Sequence, residues 1–273
     1  MKLIYSFLIV FSVVILSFSC SKTELPASVQ SSSADNASAN LLRTSLVAWY
    51  TFDGDVQDHS NYGNNISFNS ATPIAGKDGT PNTAYFFDGS SSYMTAPNST
   101  SLNGQHGITL ASVVNVAGFY RGQYHANRIL QKGYQDQSNG TYFLGFDDYL
   151  SGDNTGPVVD SMETFYGTYG NNQFNSIGVR DASDFIKKNR WYTIVFTVDT
   201  NRIGKLYVNG ELKGTSYNAN SDFIPNFDDL YIGKTENAQY PYWFHGAIDE
   251  IRIYNRAFDE KTVGEISKQM NNR

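Results

Sequence analysis

Apolar and polar residues alternate in short runs along most of the chain after residue 45. Alternation with a period of two is typical of a β-strand that buries one face. The clearest runs lie at 108–116, 191–199 and 244–254. Gly, Asn and Asp, which favour turns, separate them. The pattern predicts an all-β domain of roughly ten to fourteen strands, arranged as two antiparallel sheets.

Two local elements have clear signals of their own. Asn209-Gly210 separates two strand-like runs and predicts a type I′ hairpin, because both central residues of that turn need positive φ. Residues 259–270 carry apolar side chains three or four positions apart, with Asp259 placed as the N-cap. They predict one short C-terminal helix, which we expect to pack on an edge of the sheets.

The strand at 244–254 contains acidic residues among β-branched ones. Strict alternation puts Ile248, Glu250, Arg252 and Tyr254 on one face, and Ala247, Asp249, Ile251 and Ile253 on the other. Asp249 would then share an apolar face. A buried carboxylate is costly unless it is paired or hydrogen-bonded, so this residue needs a partner.

The net charge and the composition limit the classes of partner that we expect this protein to bind. The formal net charge is −6, and 17% of the residues are charged. Phosphate binding needs a basic surface, so nucleic acid is not an expected partner. The 19 Tyr and 18 Phe residues agree with the strand pattern, because aromatic side chains suit pleated, half-buried surfaces.

The first nineteen residues have the pattern of a signal peptide. Lys2 is followed by an apolar run from Leu3 to Leu16 and then by small residues. The run is shorter than the roughly 20 apolar residues that a membrane-spanning helix needs. We therefore expect residues 1–19 to be removed from the mature protein.

Cys20 is the only cysteine. Its position resembles that of the lipidated cysteine in bacterial lipoproteins of the Bacteroidota type, although Ser17 and Phe18 depart from the usual pattern; a plain cleaved signal is the alternative. Residues 20–45 are rich in Ser, Ala and Asn and predict a flexible tether. The expected protein is anchored to the outer membrane, periplasmic or surface-exposed, and touches the membrane only through its lipid.

Several segments together resemble the LamG-like family of concanavalin A-like jelly rolls. They are LVAWYTFDGDVQDHSNYGNN, AYFFDGSSSYMTAP, WYTIVFTVD with KLYVNGELKG, LYIGK, and FHGAIDEIRIYNRAFDE. The resemblance implies a two-sheet antiparallel jelly-roll sandwich over residues 46–273, with one short C-terminal helix. Val113 or Val114 stands where the family usually has a Trp, which implies altered core packing there.

The resemblance also implies a structural calcium ion. In related glucanases and lectins the acid of the final strand is a calcium ligand, and Asp249 occupies that position. Asp53 and the Asp88-Gly89 turn are the candidates for further ligands. Calcium takes six to eight oxygens, including backbone carbonyls. The alternative is that Asp249 caps a loop or pairs with a nearby arginine.

Aromatic residues in two segments are candidates for carbohydrate binding, because sugar rings stack on aromatic faces. The candidates are Tyr240, Tyr242 and Trp243 in the segment 237–246, and Tyr124 and Tyr166 in the irregular stretch 118–180. For each of them, packing in the core or at its edge is the alternative.

Motifs for catalysis are missing from the sequence. Glycoside hydrolysis normally uses two carboxylates that flank a cleft. Related jelly-roll glucanases carry theirs in an E-x-D-x-x-E type run, and this chain has none. The four histidines are scattered, without H-E-x-x-H, and G-x-S-x-G is also missing. We therefore expect no catalytic residues.

Together these patterns predict a cell-envelope lipoprotein that binds extracellular carbohydrate, as a lectin or carbohydrate-binding module. One alternative is a protein-binding or structural adhesion domain of a surface complex. Another is a divergent glycoside hydrolase or lyase, which would need facing acids in one cleft. Exposed aromatics beside amides in a groove favour a sugar, whereas a flat apolar patch of a few hundred Å² favours a protein.

Overall fold

The structure is a computed structural model. It describes residues 27–104, 107–120, 122, 126–133, 140–147, 164–171, 177–178, 187–217 and 225–273. The chain divides into two compact units, Met1–Ala37 and Ser38–Arg273. Of the first unit only residues 27–37 are described, as the start of helix α1 (Ala27–Ser45). The predicted signal peptide and the predicted lipidation of Cys20 lie outside the described residues and stay predictions.

Within the described residues, fifteen strands form two sheets. They are β1 (Leu46–Tyr50), β2 (Phe68–Asn69), β3 (Thr72–Ile74), β4 (Ala84–Asp88), β5 (Met94–Ala96), β6 (Ile108–Gly118), β7 (Ala126–Lys132), β8 (Gly140–Asp147), β9 (Thr164–Asn171), β10 (Ile177–Gly178), β11 (Trp191–Val198), β12 (Ile203–Val208), β13 (Glu211–Tyr217), β14 (Leu230–Ile232) and β15 (His245–Tyr254). A short 3₁₀ turn, Thr100–Leu102, follows β5.

The strand order confirms the predicted two-sheet antiparallel sandwich. The eight-stranded sheet has the order β13-β12-β11-β6-β15-β4-β3, with β1 also paired to β15. The seven-stranded sheet has the order β10-β9-β8-β7-β14-β5-β2. Neighbours in both sheets are antiparallel and are often distant in sequence, as β6 and β15 are.

Alternate side chains of both sheets fill the space between them. From β6, Leu110, Val114 and Val116 enter this core, and from β11, Ile194 and Phe196 do so; all are buried. The spacing of two follows from strand geometry. Val114 thus takes a core position in the segment where the family resemblance led us to expect a Trp.

A second apolar layer covers the outer face of the eight-stranded sheet. Helix α2 (Glu260–Asn271) buries Val263, Ile266 and Met270 in it. The sheet contributes Ala111, Val113, Val195, Tyr207 and Tyr254. The predicted helix is confirmed, but its expected place at a sheet edge is wrong. The outward positions of β6 and β11 are themselves apolar, so the helix lies across this face.

The start of α2 follows the sequence signal closely. Asp259 is the N-cap, and its Oδ1 accepts a hydrogen bond from the Thr262 amide at 2.8 Å. This bond satisfies one of the amides that a helix start leaves without an intrahelical acceptor, and it lowers the pKa of Asp259.

The predicted hairpin is confirmed as well. Asn209 has φ +52° and Gly210 has φ +85°, as a type I′ turn requires, and β12 pairs with β13 around them. The Asn209 side chain also accepts a hydrogen bond from the Thr193 amide at 2.9 Å, which ties the turn to β11.

Residues 27–45 are helical, whereas their composition predicted a coil. Alanine has the highest helix propensity, and Leu42 near the helix end is buried in the layer that α2 covers. Burial of Leu42 stabilises the last turns of this helix, which the composition alone does not reveal. Neither described helix is long and apolar enough to cross a membrane.

Candidate functional site

Strand β15 carries the acid of the predicted calcium site, and its alternation is interrupted at Asp249. The pairing of β15 with β6 shifts register between Ile248 and Glu250. A bulge of this kind adds one residue, so the side chains that follow it change faces. Ile248 therefore enters the core between the sheets together with Ile251, whereas strict alternation placed them on opposite faces.

The bulge lies where β15 changes partners along one side. The pairing with β4 ends at Ile248↔Tyr85, and the pairing with β1 begins at Ile251↔Tyr50. Asp249 and Glu250 thus occupy the gap between two partner strands. A carboxylate is tolerated at Asp249 because the side chain meets the loop that precedes β4 instead of the apolar core.

Asp249 closes that loop. Its Oδ2 accepts a hydrogen bond from the Lys77 amide at 2.8 Å, and a Cβ on Gly76 would lie only 2.6 Å from the same oxygen. Burial raises the pKa of Asp249 to about 6, and the charges of Glu250 and Asp53 act in the same direction. The Lys77 amide opposes this shift but does not cancel it.

Glu250 lies on the outer face in a network of donors. Its Oε1 accepts hydrogen bonds from Trp49 Nε1 at 2.5 Å and from Arg252 Nε at 2.7 Å. Arg252 Nη1 in turn donates to Gln269 Oε1 at 3.0 Å, which links β15 to α2. Arg273 Nη1 lies 3.6 Å from Glu250 Oε1. The network joins three elements and pairs every charge in it.

The structure brings only part of the predicted calcium set near Asp249, because the charge of Asp53 acts on Asp249 whereas Asp88 lies apart. Asp88 pairs with His245 at the start of β15, four residues from Asp249, which corresponds to about 13 Å along a strand. Asp53 pairs with the guanidinium of Arg273. Among the described residues, no three His, Cys, Asp or Glu side chains are grouped so as to hold a metal.

Asp88 has a different task, in the turn that follows β4. Its carboxylate accepts hydrogen bonds from the Ser91 hydroxyl and from the amides of Ser90, Ser91 and Ser92, the latter at 2.7–3.0 Å. These bonds hold the pKa of Asp88 far below its usual range, although burial opposes them. Gly89 has φ +75°, which favours glycine. The Asp88-Gly89 turn is therefore a closed loop cap, and its carboxylate does not share one site with Asp249. Calcium binding at Asp249 stays a prediction.

The predicted sugar-binding aromatics have different surroundings. Tyr242 is 6% exposed, and the guanidinium of Arg128 lies 4.8 Å from its ring centroid. Tyr240 stacks on it at 6.2 Å. Tyr242 is thus a packing residue. Tyr166 lies in β9 opposite Gly145, where side chains are not described, and Tyr124 lies outside the described residues.

Trp243 lies in the connection between β14 and β15, which backbone hydrogen bonds hold in place. Phe244 N donates to Gly233 O at 2.8 Å, and Thr235 N donates to Pro241 O at 2.8 Å. The Phe244 side chain is fully buried between the sheets, where it meets the ring of Phe87 edge-on. Its neighbour Trp243 faces away from the core, beside Lys234.

Trp243 belongs to a cluster of rings on the outer face of the seven-stranded sheet. We call this cluster the aromatic patch, and it consists of Phe68, Tyr93, Tyr231, Lys234 and Trp243. Leu230 and Ile232 point into the core, so the side chain of Tyr231 between them points outward.

Lys234 lies at the centre of the aromatic patch. Its Nζ is 4.8 Å from the ring centroid of Trp243, 4.9 Å from that of Tyr93 and 5.8 Å from that of Tyr231. These distances are within the range of cation–π attraction. Partial burial lowers the pKa of Lys234. Phe68 extends the surface, with its ring 4.6 Å from that of Tyr93 and 44% of its area exposed.

Carboxylates lie near the aromatic patch. Burial raises the pKa of Tyr231, and the charges of Glu236, Asp229 and Asp228 raise it further. Burial and the Asp228 charge also raise the pKa of Glu236. The surface therefore combines π faces, a cation and acceptor groups, which are the groups that stack on a sugar ring and bond its hydroxyls. From the sequence we identified Trp243 alone among these residues; the alternation in LYI would have marked Tyr231 as outward-facing.

Comparisons with known proteins agree with this fold. The Laminin_G_3 family model, described as concanavalin A-like lectin/glucanases superfamily, matches residues 88–264. No curated protein matches the chain. The binding domain of Paraclostridial Mosquitocidal Protein 1 superposes with a TM-score of 0.64 at 15% identity, covering 85% of this chain and 53% of that one.

Two further solved structures are similar. Domain 4 of AbnA, a GH43 extracellular arabinanase from Geobacillus stearothermophilus, in complex with arabinotriose, has a TM-score of 0.55 at 21% identity and covers 81% of this chain and 98% of that one. The binding domain of botulinum neurotoxin DC in complex with SialylT has a TM-score of 0.59 at 11% identity, with coverages of 84% and 52%. The chain spans about half the length of both toxin domains. At these identities the likeness shows a shared fold alone. The family match establishes that this chain belongs to the Laminin_G_3 family of the concanavalin A-like lectin/glucanases superfamily.

Proposed function

We propose that this protein is a cell-envelope lipoprotein that binds extracellular carbohydrate through the aromatic patch and catalyses no reaction. The observation that carries the proposal is the arrangement of Trp243, Tyr93 and Tyr231 around the ammonium group of Lys234. The rings offer faces for stacking, and the ammonium group offers donors for hydroxyl oxygens.

The aromatic patch is ordered by the fold itself. Trp243 and Lys234 lie at the base of a connection closed by backbone hydrogen bonds, and Tyr231 lies within β14. Side chains that are already fixed lose little conformational entropy when a ligand binds. Weak stacking and hydroxyl contacts can then give useful affinity.

Similar folds give indirect support. The AbnA domain is described in complex with arabinotriose, and the neurotoxin binding domain in complex with SialylT. In this chain, a lipidated Cys20 and the following segment would hold the domain near a membrane. The proposed location is the outer membrane, with the domain periplasmic or surface-exposed.

A protein-binding role is the second candidate, and the chemistry of the aromatic patch argues against it. The core of a protein interface is depleted of charged groups. Here a lysine lies at the centre of the rings, and carboxylates lie nearby. Phe68 is 44% exposed while the other rings are half-buried, so the surface is not a broad apolar face.

The test is a glycan array with the full chain, run in calcium and again in EDTA. Trp243→Ala should lower the affinity for bound glycans at least about tenfold, because a stacking face is lost. Tyr217→Ala is the matched control, since Tyr217 is 65% exposed in β13 of the other sheet. An array without binding from folded protein, or equal binding by wild type and Trp243→Ala, would overturn the proposal. Loss of binding in EDTA would support the calcium prediction separately.

A further inference from the structure

Phe227 is the most exposed large hydrophobic side chain among the described residues, at 84%. It precedes β14 and lies between Asn226, which is fully buried, and Asp228. An exposed phenylalanine on a flexible loop needs no explanation, because such a side chain is free to move. The residues on both sides of Phe227, however, are held by hydrogen bonds.

Lys132 holds the backbone on both sides of Phe227. This lysine is fully buried at the end of β7, and its Nζ donates to Asn226 Oδ1 at 2.6 Å and to Asp228 O at 2.8 Å. It also donates to Asn98 Oδ1 at 2.9 Å. The ammonium group thus fastens the two residues that flank Phe227 to the turn after β5.

Further hydrogen bonds hold the same segment in place. Asp228 N donates to Asn226 Oδ1 at 3.2 Å, and Asn98 N donates to Asp229 Oδ1 at 2.8 Å. Asn103 Nδ2 donates to Asn226 O at 3.3 Å. A buried charge is costly, and here it holds the backbone that carries one exposed ring. A held backbone suits a contact residue, because the cost of ordering that backbone is met before binding.

We propose that Phe227 is a second stacking contact for the glycan bound by the aromatic patch, and that Lys132 is the residue that positions it. Phe227 precedes Tyr231 by four residues, so their Cα atoms lie at most about 14 Å apart. Among the described residues, no ring contact joins Phe227 to the aromatic patch. A ligand that touches both is therefore longer than one sugar ring. This inference rests on the proposed function.

The charged groups between Phe227 and the aromatic patch favour a neutral oligosaccharide as the ligand. Asp228 and Asp229 follow Phe227 directly, and Glu236 lies near Tyr231. Against these three carboxylates, Lys234 is the cation that a ligand can reach among the described residues of this path, because the ammonium group of Lys132 is buried beneath the loop. An anionic sugar would meet carboxylates first, whereas sugar hydroxyls donate to carboxylates.

The experiment measures affinity against chain length. The probes are neutral arabino-, xylo- and gluco-oligosaccharides of one to six sugars, with uronic-acid oligosaccharides of matched length, each titrated into the full chain. Phe227→Ala should lower affinity about tenfold for the longer neutral chains and leave single sugars unchanged. Trp243→Ala should lower affinity at every length, and Tyr217→Ala at none.

Lys132 is tested with Lys132→Met and the conservative Lys132→Arg. Lys132→Met should speed amide hydrogen exchange at residues 225–229 and reproduce the length-dependent loss, and Lys132→Arg should restore part of both. Should Lys132→Met fail to fold, Phe227→Ala decides the matter. Equal affinities of wild type and Phe227→Ala for long chains would overturn the inference and leave the proposed function intact. Tighter binding of the uronic-acid chains would overturn the choice of a neutral ligand, and binding to no probe would overturn both proposals.

Discussion

The outer faces of the two sheets enclose charged groups in different ways. On the eight-stranded sheet, Glu250 and Arg252 are almost fully buried and bond to each other beneath α2. On the seven-stranded sheet, Lys234 is half-buried among aromatic rings, and no carboxylate in the described part of the chain pairs with it. A charge closed in with its counterion is costly to unpair, whereas a charge ringed by open π faces remains available to a ligand.

The largest effect is expected when the buried pair of Glu250 and Arg252 is split. Glu250→Ala leaves Arg252 buried without its carboxylate, and should lower the free energy of unfolding by about 3–5 kcal/mol. Urea unfolding measures this loss. Glycan affinity of the folded fraction should not change, because the network is on the opposite sheet. A loss below about 1 kcal/mol would mean that water replaces the carboxylate.

Removing apolar volume from the covered face tests its packing without touching a charge. Ile266 is fully buried in α2 against the sheet, so Ile266→Ala should lower the free energy of unfolding by about 2–4 kcal/mol. Ile266→Val removes one methylene from the same site and is the milder comparison, with an expected loss of about 0.5–1.5 kcal/mol. Thermal unfolding with binding measured in parallel should show a lower Tm and unchanged affinity.

Asp249 should make the stability of the fold depend on pH. Its folded pKa is raised to about 6, so its charged form is disfavoured in the fold. The unfolded chain therefore binds fewer protons between about pH 4 and 6, and this residue makes stability fall as pH rises through that window. Asp249→Asn should remove the fall and stabilise the protein at pH 7.5 in EDTA by about 1–2 kcal/mol.

The same variant separates loop closure from calcium binding. Lys77 still finds an acceptor in the Asn side chain, so the loop should remain closed. If calcium binds at Asp249, adding it would stabilise the wild type and not Asp249→Asn. A variant less stable than wild type in EDTA would contradict the inference that the fold disfavours the charged form of this carboxylate.

The smallest effect is expected at the centre of the aromatic patch. Lys234→Met keeps the apolar stem and removes the cation, so stability should change by at most about 0.5–1 kcal/mol. Glycan affinity should fall about threefold or more, because the donor to the sugar hydroxyls is lost. Lys213→Met is the matched control, on the other sheet. Titration calorimetry with one neutral oligosaccharide measures both variants.

The structural features that depend on neighbouring residues could be predicted from the sequence, whereas those that depend on the pairing of distant strands could not. The hairpin at Asn209-Gly210 and the cap at Asp259 depend on neighbouring residues, so their patterns were sufficient. The bulge at Asp249 depends on where β15 exchanges β4 for β1, which strict alternation does not encode. Strict alternation therefore placed Ile248 on the same face as Glu250, whereas the structure places Ile248 in the core and Glu250 on the outer face.

The candidate site shows the same division. Trp243 was identifiable because it adjoins an apolar run and a proline. Phe68, Tyr93 and Tyr231 come from separate segments that meet only because β14, β5 and β2 are neighbours in the sheet. For Tyr242 the sequence left core packing open as the alternative, because it does not reveal that Arg128 and Tyr240 lie against its ring.

The pairing of β1 with β15 has a mechanical consequence. Leu46, at the start of β1, lies beside Tyr254 at the end of β15, so the two strands run in opposite directions. A pull on the segment before Leu46, opposed by a load on Trp243 ahead of β15, would draw these strands past each other lengthwise. Their hydrogen bonds lie across that direction and would share the force together instead of opening one at a time. A domain held at one end and loaded at the proposed binding surface would resist tearing best along this ladder.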